Sequence, residues 1–420
     1  MCPTSSERSD LQMNRRSLLI ALGSLLVAQG VSGCGSSGSA ALNIEFLDSS
    51  LPTSLLKEFQ RSLSGQTVDF VPVETLAALY EHLVNSQEVK QNKSWISPLW
   101  EGLGLEGPSV EAPVHSADWL TLGDYWLAAS IQNKLIEPLD EEALPGWNDL
   151  PETWQQLVRR NAQGELSDQG KIWGAPYRWG SLAIAYQIEA FEELGWTPTD
   201  WDDLWRDDLA RQISLLDNPR AVIGLTLKRL GQTFNEENPD AVADLTQALG
   251  DLQAQVKTYS SDAYLQPLLL EDTWLAVGWS SDILALLRRD PRYGAVIPAS
   301  GTALFADVWV RPAMPIAQSS EDSENTPATE PASDSILSSK WIEFCWQSDT
   351  AQRLSIQSYG ASPMLVSGDR SKLPDTLRLN SVLLPEQETL DKSEFLAPLS
   401  ETAIAQYQKL WKSMRLGEFG

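Results

Sequence analysis

The sequence predicts an α/β fold in two domains, and three observations carry that prediction. Short β-rich runs alternate with stretches of helical period from residue 41 onward. About 387 residues remain after an N-terminal export segment, more than one ordinary core accommodates. Of three cysteines only Cys345 is left over for packing or pairing, so no disulfide framework can stand in for buried cores.

In chain order, residues 43–47 read as a strand, Leu55, Leu56, Phe59 and Leu63 as the apolar face of a helix, and residues 67–71 as a second strand. Residues 76–83 have helical spacing, which puts His82 on a helix surface. Residues 87–115 read as an irregular excursion, docked in part by Trp95, Ile96, Leu99 and Trp100. The alternation resumes with a strand at 119–122, a helix at 125–132, a strand at 182–186, a helix at 201–209 and a strand at 213–216. Further strands are predicted at 275–278, 295–297 and 308–310. Residues 318–335 contain only polar, small and proline residues and predict a disordered surface insertion.

The N-terminus has its own logic. Arg15 and Arg16, an apolar run over residues 18–28 and the small residues Val31, Ser32 and Gly33 follow the order of a secretory signal peptide. The apolar stretch is about 14 residues, short of the roughly 20 that a membrane span needs. Small residues before Cys34 resemble the lipobox of bacterial lipoproteins, which implies removal of residues 1–33 and lipid attachment at Cys34. The mature chain is then expected in the periplasm or another extracytoplasmic space, tethered to a membrane by its acyl chains. The paired arginines also resemble a twin-arginine signal, so the export route stays open.

A formal charge of −26, from 57 acidic and 31 basic residues, argues against nucleic-acid backbones as partners and suits cationic ligands. Seventeen tryptophans are present, and several stand beside Gly, Asp or Tyr, as in Asp124-Tyr125-Trp126, Tyr177-Arg178-Trp179-Gly180 and Gly278-Trp279-Ser280-Ser281-Asp282. Aromatic faces next to carboxylates suit organic cations. Cys345 lies at helical spacing within residues 341–346, where a buried, inert thiol is expected.

Catalytic and cofactor motifs fail on context. Gly102-Leu103-Gly104-Leu105-Glu106-Gly107 spells a dinucleotide fingerprint, but Pro108 follows directly and no strand precedes it. The two histidines are His82 and His115, and the nearness of Ser116 and Asp118 to His115 does not make a triad. No Cys/His cluster offers zinc ligands and no calcium loop is spelled out. Neither an enzyme nor a metal or cofactor dependence is expected.

Five segments carry a resemblance: Leu120-Thr121-Leu122-Gly123-Asp124-Tyr125-Trp126, Ala175-Pro176-Tyr177-Arg178-Trp179-Gly180, Trp201-Asp202-Asp203-Leu204-Trp205, Leu215-Leu216-Asp217-Asn218-Pro219-Arg220 and Ala276-Val277-Gly278-Trp279-Ser280. With Phe305-Ala306-Asp307-Val308-Trp309-Val310 they resemble, in order, the extracellular solute-binding proteins of ABC importers, nearest the spermidine/putrescine branch. The resemblance implies a two-lobed periplasmic-binding-protein fold of type II, with a ligand cleft between two α/β lobes. Lobe one would hold residues 41–179 and 308–362, and lobe two residues 180–307 and 363–420. Residues 178–182 and 305–310 would cross between them. It also implies a small-molecule ligand, an inner-membrane ABC permease as partner and a monomeric chain.

Carried over position by position, Tyr125 matches a ligand-contacting tyrosine, Trp279 a stacking tryptophan and Asp307 a carboxylate that holds an ammonium. Phe305 stands where a second stacking tryptophan is usual. Asp217 alone remains of the acidic residues expected in its turn, and Asp48 follows the first strand where aromatics are expected. Gly123 and Asp124 also have a reading of their own, at the carboxyl end of a strand where open α/β sheets place ligands. Gly123 would permit a tight turn and Asp124 would cap the following helix. Micromolar affinity takes about 8 kcal/mol, against about 2 for each desolvated cation–π contact and about 1.5–3 for each charged hydrogen bond. Asp307 therefore needs help from Asp217, Asp48, Asp124 or Asp282. Arg178 or Arg220 in the cleft would point instead to an anionic or zwitterionic solute, and amino acid derivatives, thiamine-like compounds and an envelope scaffold without a ligand remain as alternatives.

Overall fold

The computed structural model describes residues 41–86, 117–313 and 332–419, with side chains of the last segment from Ile336 onward. Its main sheet has 11 strands. Eight of them form the continuous path, and β8 lies off it. In chain order the long strands are β1 (Leu42–Leu47), β2 (Val68–Val73), β3 (Trp119–Gly123), β4 (Ala175–Gln187), β5 (Ile213–Leu216), β6 (Val256–Ser260), β7 (Leu275–Trp279), β8 (Tyr293–Val296) and β9 (Ala303–Pro312). The spatial order is β2-β1-β3-β9-β4-β7-β5-β6, with β8 beside β4.

This order has a simple logic. β2, β1 and β3 form one parallel arm, and β7, β5 and β6 form another. Between them stands the antiparallel pair β4 and β9, which hydrogen-bond to each other and each to one arm. Parallel strands are covered on both faces and so read as apolar runs rather than alternations. β3 and β5 are buried at every residue.

Helices pack on the arms through apolar stripes. α1 (Thr53–Ser62) buries Leu55 and Phe59, and α2 (Leu76–Ser86) buries Leu79, Tyr80, Leu83 and Val84. In α3 (Ala332–Trp346), Trp341 meets Phe59 at 4.8 Å and Trp309 of β9 at 5.4 Å between ring centroids. Cys345 is buried in the same core, and desolvation raises its thiol pKa, as an inert thiol requires. A second apolar cluster gathers Leu182 and Ile184 of β4, Ile213 and Leu215 of β5, and Tyr407 and Met414 of the C-terminal helix α4 (Glu401–Leu416).

Several elements differ from the sequence reading for identifiable reasons. The strand predicted at 182–186 starts at Ala175, because β9 supplies a partner for a stretch in which Pro176 and Gly180 argue against a strand. The helix predicted at 201–209 is two 3₁₀ turns, Trp201–Trp205 and Asp207–Leu209, broken where Arg206 is extended. Asp200 and Asp203 close a capping box there, so aspartate side chains bond the backbone in place of a longer helix. The helix predicted from Tyr125 begins with a 3₁₀ turn, Asp124–Trp126, and turns α-helical over Leu127–Gln132. Residues 332–335, assigned to a disordered insertion, are the first turn of α3. A polar first turn suits a helix whose apolar residues begin one turn later.

His82 does not lie free on a helix surface. Its Nδ1 is 2.9 Å from the carboxylate of Glu45, a residue of β1 buried under α2. The export segment with Cys34, residues 87–115 with the glycine pattern at 102–107 and His115, and residues 318–331 lie outside the described residues. Among the described residues no helix is long and apolar enough to cross a membrane.

Candidate functional site

The carboxyl ends of the two arms meet the central pair at one place, where β9 runs from Phe305 to Asp307. Asp307 stands opposite Gly123, the last residue of β3, and opposite Arg178 of β4. Phe305 stands opposite Gly180 of β4, and its ring meets Trp279, the last residue of β7, edge-on at 5.4 Å. A register irregularity falls between Asp307 and Val308, the kind of bulge that re-aims a side chain beside a site.

Two glycines make room for this cluster. A Cβ on Gly180 would come within 2.6 Å of the Phe305 ring and 2.7 Å of Ser280 Oγ. On Gly123 it would come within 2.6 Å of the Tyr125 ring. Gly123 has ordinary extended angles, φ −73° and ψ 139°, so it provides space and not the tight turn read from the sequence.

Asp307 is fully buried, with Oδ2 2.5 Å from Arg178 Nη1 and Oδ1 without a partner among the described residues. Arg178 is itself 4 % exposed and donates to the Ser358 carbonyl at 3.0 Å and to Ser358 Oγ at 3.3 Å. Gly360 leaves the space in which the guanidinium lies. Desolvation raises the Asp307 pKa and outweighs the pull of Arg178.

Asp124 does not cap the helix after it. Its carboxylate accepts the Ala306 N–H at 3.0 Å, pinning β9 to the end of β3. Burial pushes its pKa up to about 7, while the Ala306 bond and nearby Arg160 pull the other way. Tyr125 keeps 37 % of its surface exposed, and its phenol is shifted upward first by desolvation, then by Asp307 and Asp124. The phenol thus lies within the electrostatic reach of both carboxylates.

Tyr125, Asp124, Phe305, Asp307 and Trp279 are therefore brought together. Three other carboxylates are placed differently. Asp217 pairs with Arg415 of α4 at 2.8 Å, Asp282 accepts the hydroxyl of buried Tyr264, and Asp48 is exposed after β1. Arg220 is held among the Phe234 and Ala397 carbonyls and Asn235 inside the second arm, so of the two arginines weighed from the sequence only Arg178 reaches the cluster. The aromatic motifs also divide. Trp126 and Trp179 are core residues, with Trp126 stacked on Tyr80 at 4.6 Å and Trp179 edge-on to Trp154 at 5.3 Å. Of Trp126, Trp179 and Trp279, only Trp279 is left partly open.

A model of the bacterial extracellular solute-binding protein family matches residues 109–365. The chain belongs to that family. A spermidine/putrescine-binding periplasmic protein of Haemophilus influenzae is 20 % identical over 71 % of this chain and 74 % of its own length. A putrescine-binding periplasmic protein of Escherichia coli is 27 % identical over 43 % of this chain and 51 % of its own. The solved spermidine/putrescine ABC transporter substrate-binding protein of Streptococcus pneumoniae shares the fold, with a TM-score of 0.70 at 20 % identity over 90 % of this chain and 99 % of that one. The chain's family is one of solute-binding proteins and not of enzymes.

For a solute-binding protein the cluster offers a half-open aromatic pair, a partly exposed tyrosine and a buried carboxylate with one free oxygen. The sequence marked Arg178 only as a conditional sign of a different ligand, and it missed Ser358 and Arg160. Ser358 is 180 residues from Arg178, and nothing in either local sequence announces the contact.

Proposed function

We propose that this chain is a lipid-anchored receptor that takes a small organic cation between Trp279, Phe305 and Tyr125, with its ammonium on Asp307, and presents it to an inner-membrane permease for import. The free, buried Oδ1 of Asp307 carries the reading, since an unpaired acceptor in that position is costly until a donor arrives. Aromatic faces beside it add about 2 kcal/mol for each desolvated contact with a cation. Relatives named for spermidine and putrescine support polyamines as the chemical class, and the Cys34 motif supports a lipid tether outside the cytoplasm. Ligand contacts from both arms would favour a closed form by as much as they bind it better.

A thermal-shift panel of cationic, zwitterionic and anionic solutes tests the class. Amines should raise the melting temperature while carboxylates and phosphates leave it unchanged. A shift with anions alone would assign the site to Arg178, and no shift with any class would favour a scaffold without a ligand.

A further inference from the structure

Asp124 is buried, and it reaches the cluster through the backbone. Its carboxylate accepts the Ala306 N–H at 3.0 Å, and Ala306 lies between Phe305 and Asp307. Among the described residues that carboxylate forms no ion pair. Arg160 acts on it electrostatically, but its guanidinium is engaged by backbone carbonyls, of Leu157 at 3.0 Å, Gly164 at 3.2 Å and Asp124 itself at 3.5 Å.

Few charged or titratable groups face Asp124. β9 brings Asp307, already joined to Arg178 of β4, the short strand Arg159–Arg160 brings Arg160, and its own turn brings Tyr125, whose phenol burial keeps neutral. With both carboxylates ionised, the two aspartates and two arginines sum to zero. With Asp124 protonated, the same four groups carry one net positive charge, which repels a cation approaching Asp307. Burial favours that protonated form, since desolvation pushes the Asp124 pKa up to about 7 against the pull of Ala306 and Arg160.

Resting on the organic-cation reading above, we infer that Asp124 is a positioning residue that links this site to protons: it holds a proton while the site is empty and releases it to solvent when a cation binds at Asp307. The linkage is reciprocal, so a cation that drives the proton off is itself held less tightly in acid. The ionised carboxylate is also the stronger acceptor for the Ala306 N–H, so the stretch that carries Phe305 and Asp307 is fixed more firmly in the bound form.

Calorimetry of putrescine, spermidine and choline tests this. Titrations at pH 6.5 in phosphate and in MOPS, buffers of different ionisation enthalpy, should give different apparent enthalpies, with protons passed to the buffer. Affinity should fall at least threefold from pH 8 to pH 5.5. Asp124→Asn keeps an acceptor for the Ala306 N–H and should lose most of the proton release and of the pH dependence. Equal enthalpies in the two buffers, or a variant that keeps the wild-type pH profile, would overturn the inference and leave the organic-cation reading standing. Binding of none of the three compounds would overturn both. If Asp124→Asn does not fold, the Asp124 carboxyl carbon followed by NMR in the wild-type protein decides. Its titration midpoint should move to lower pH when a compound that binds is added, and a midpoint that stays in place would overturn the inference.

Discussion

Asp124 shows how one buried carboxylate can make stability depend on pH. Its pKa is about 7 in the folded chain against an ordinary value of 3.8, so between these values the native state holds a proton that the unfolded chain has released. Stability from this group is therefore greatest below the unfolded pKa and falls as pH rises toward 7. Three units at about 1.4 kcal/mol each make an effect of a few kcal/mol. Asp124→Asn retains an acceptor for the Ala306 N–H and removes the titration. Urea unfolding from about pH 4 to pH 7 should show a flatter decline of stability in the variant than in the wild type, with the remaining slope including Asp307, whose shift has the same sign. Identical slopes would show that Asp124 titrates normally.

At the scale of elements, β4 and β9 carry most of what the sequence did not disclose. Strands β5 and β7 were legible because both of their faces are buried and they read as largely apolar runs, as residues 213–216 and 275–278 do. β4 was half hidden, since Pro176 and Gly180 are poor strand residues and are tolerated only because β9 lies alongside. Gly180 is small for the sake of its neighbour. Gly180→Ala places a methyl group against the Phe305 ring and Ser280 Oγ, an overpacking that typically costs about 1–3 kcal/mol. Denaturant unfolding should show a lower midpoint at unchanged slope. An unchanged midpoint would mean that Phe305 can move aside freely.

Over the whole molecule, legibility depended on distance along the chain. Tyr125 and Trp279 could be marked because each sits at a strand end, and Asp307 because its segment resembles the solute-binding proteins, and the fold brings these segments together at one crossing. Partners that cancel charge could not be marked, since Arg178 with Asp307 and Arg415 with Asp217 are joined across 129 and 198 residues. Local motifs thus indicated which carboxylates are present, and only the folded chain distinguishes their engaged oxygens from the free Oδ1 of Asp307. The central claim is that the aromatic pair and the one free oxygen of Asp307 hold the ligand. Its most direct test is calorimetry of Trp279→Ala beside the wild type, using the cation with the largest thermal shift, because Trp279 is partly exposed and can be removed without opening the core. Affinity should fall at least tenfold; an affinity unchanged within twofold would place the ligand elsewhere.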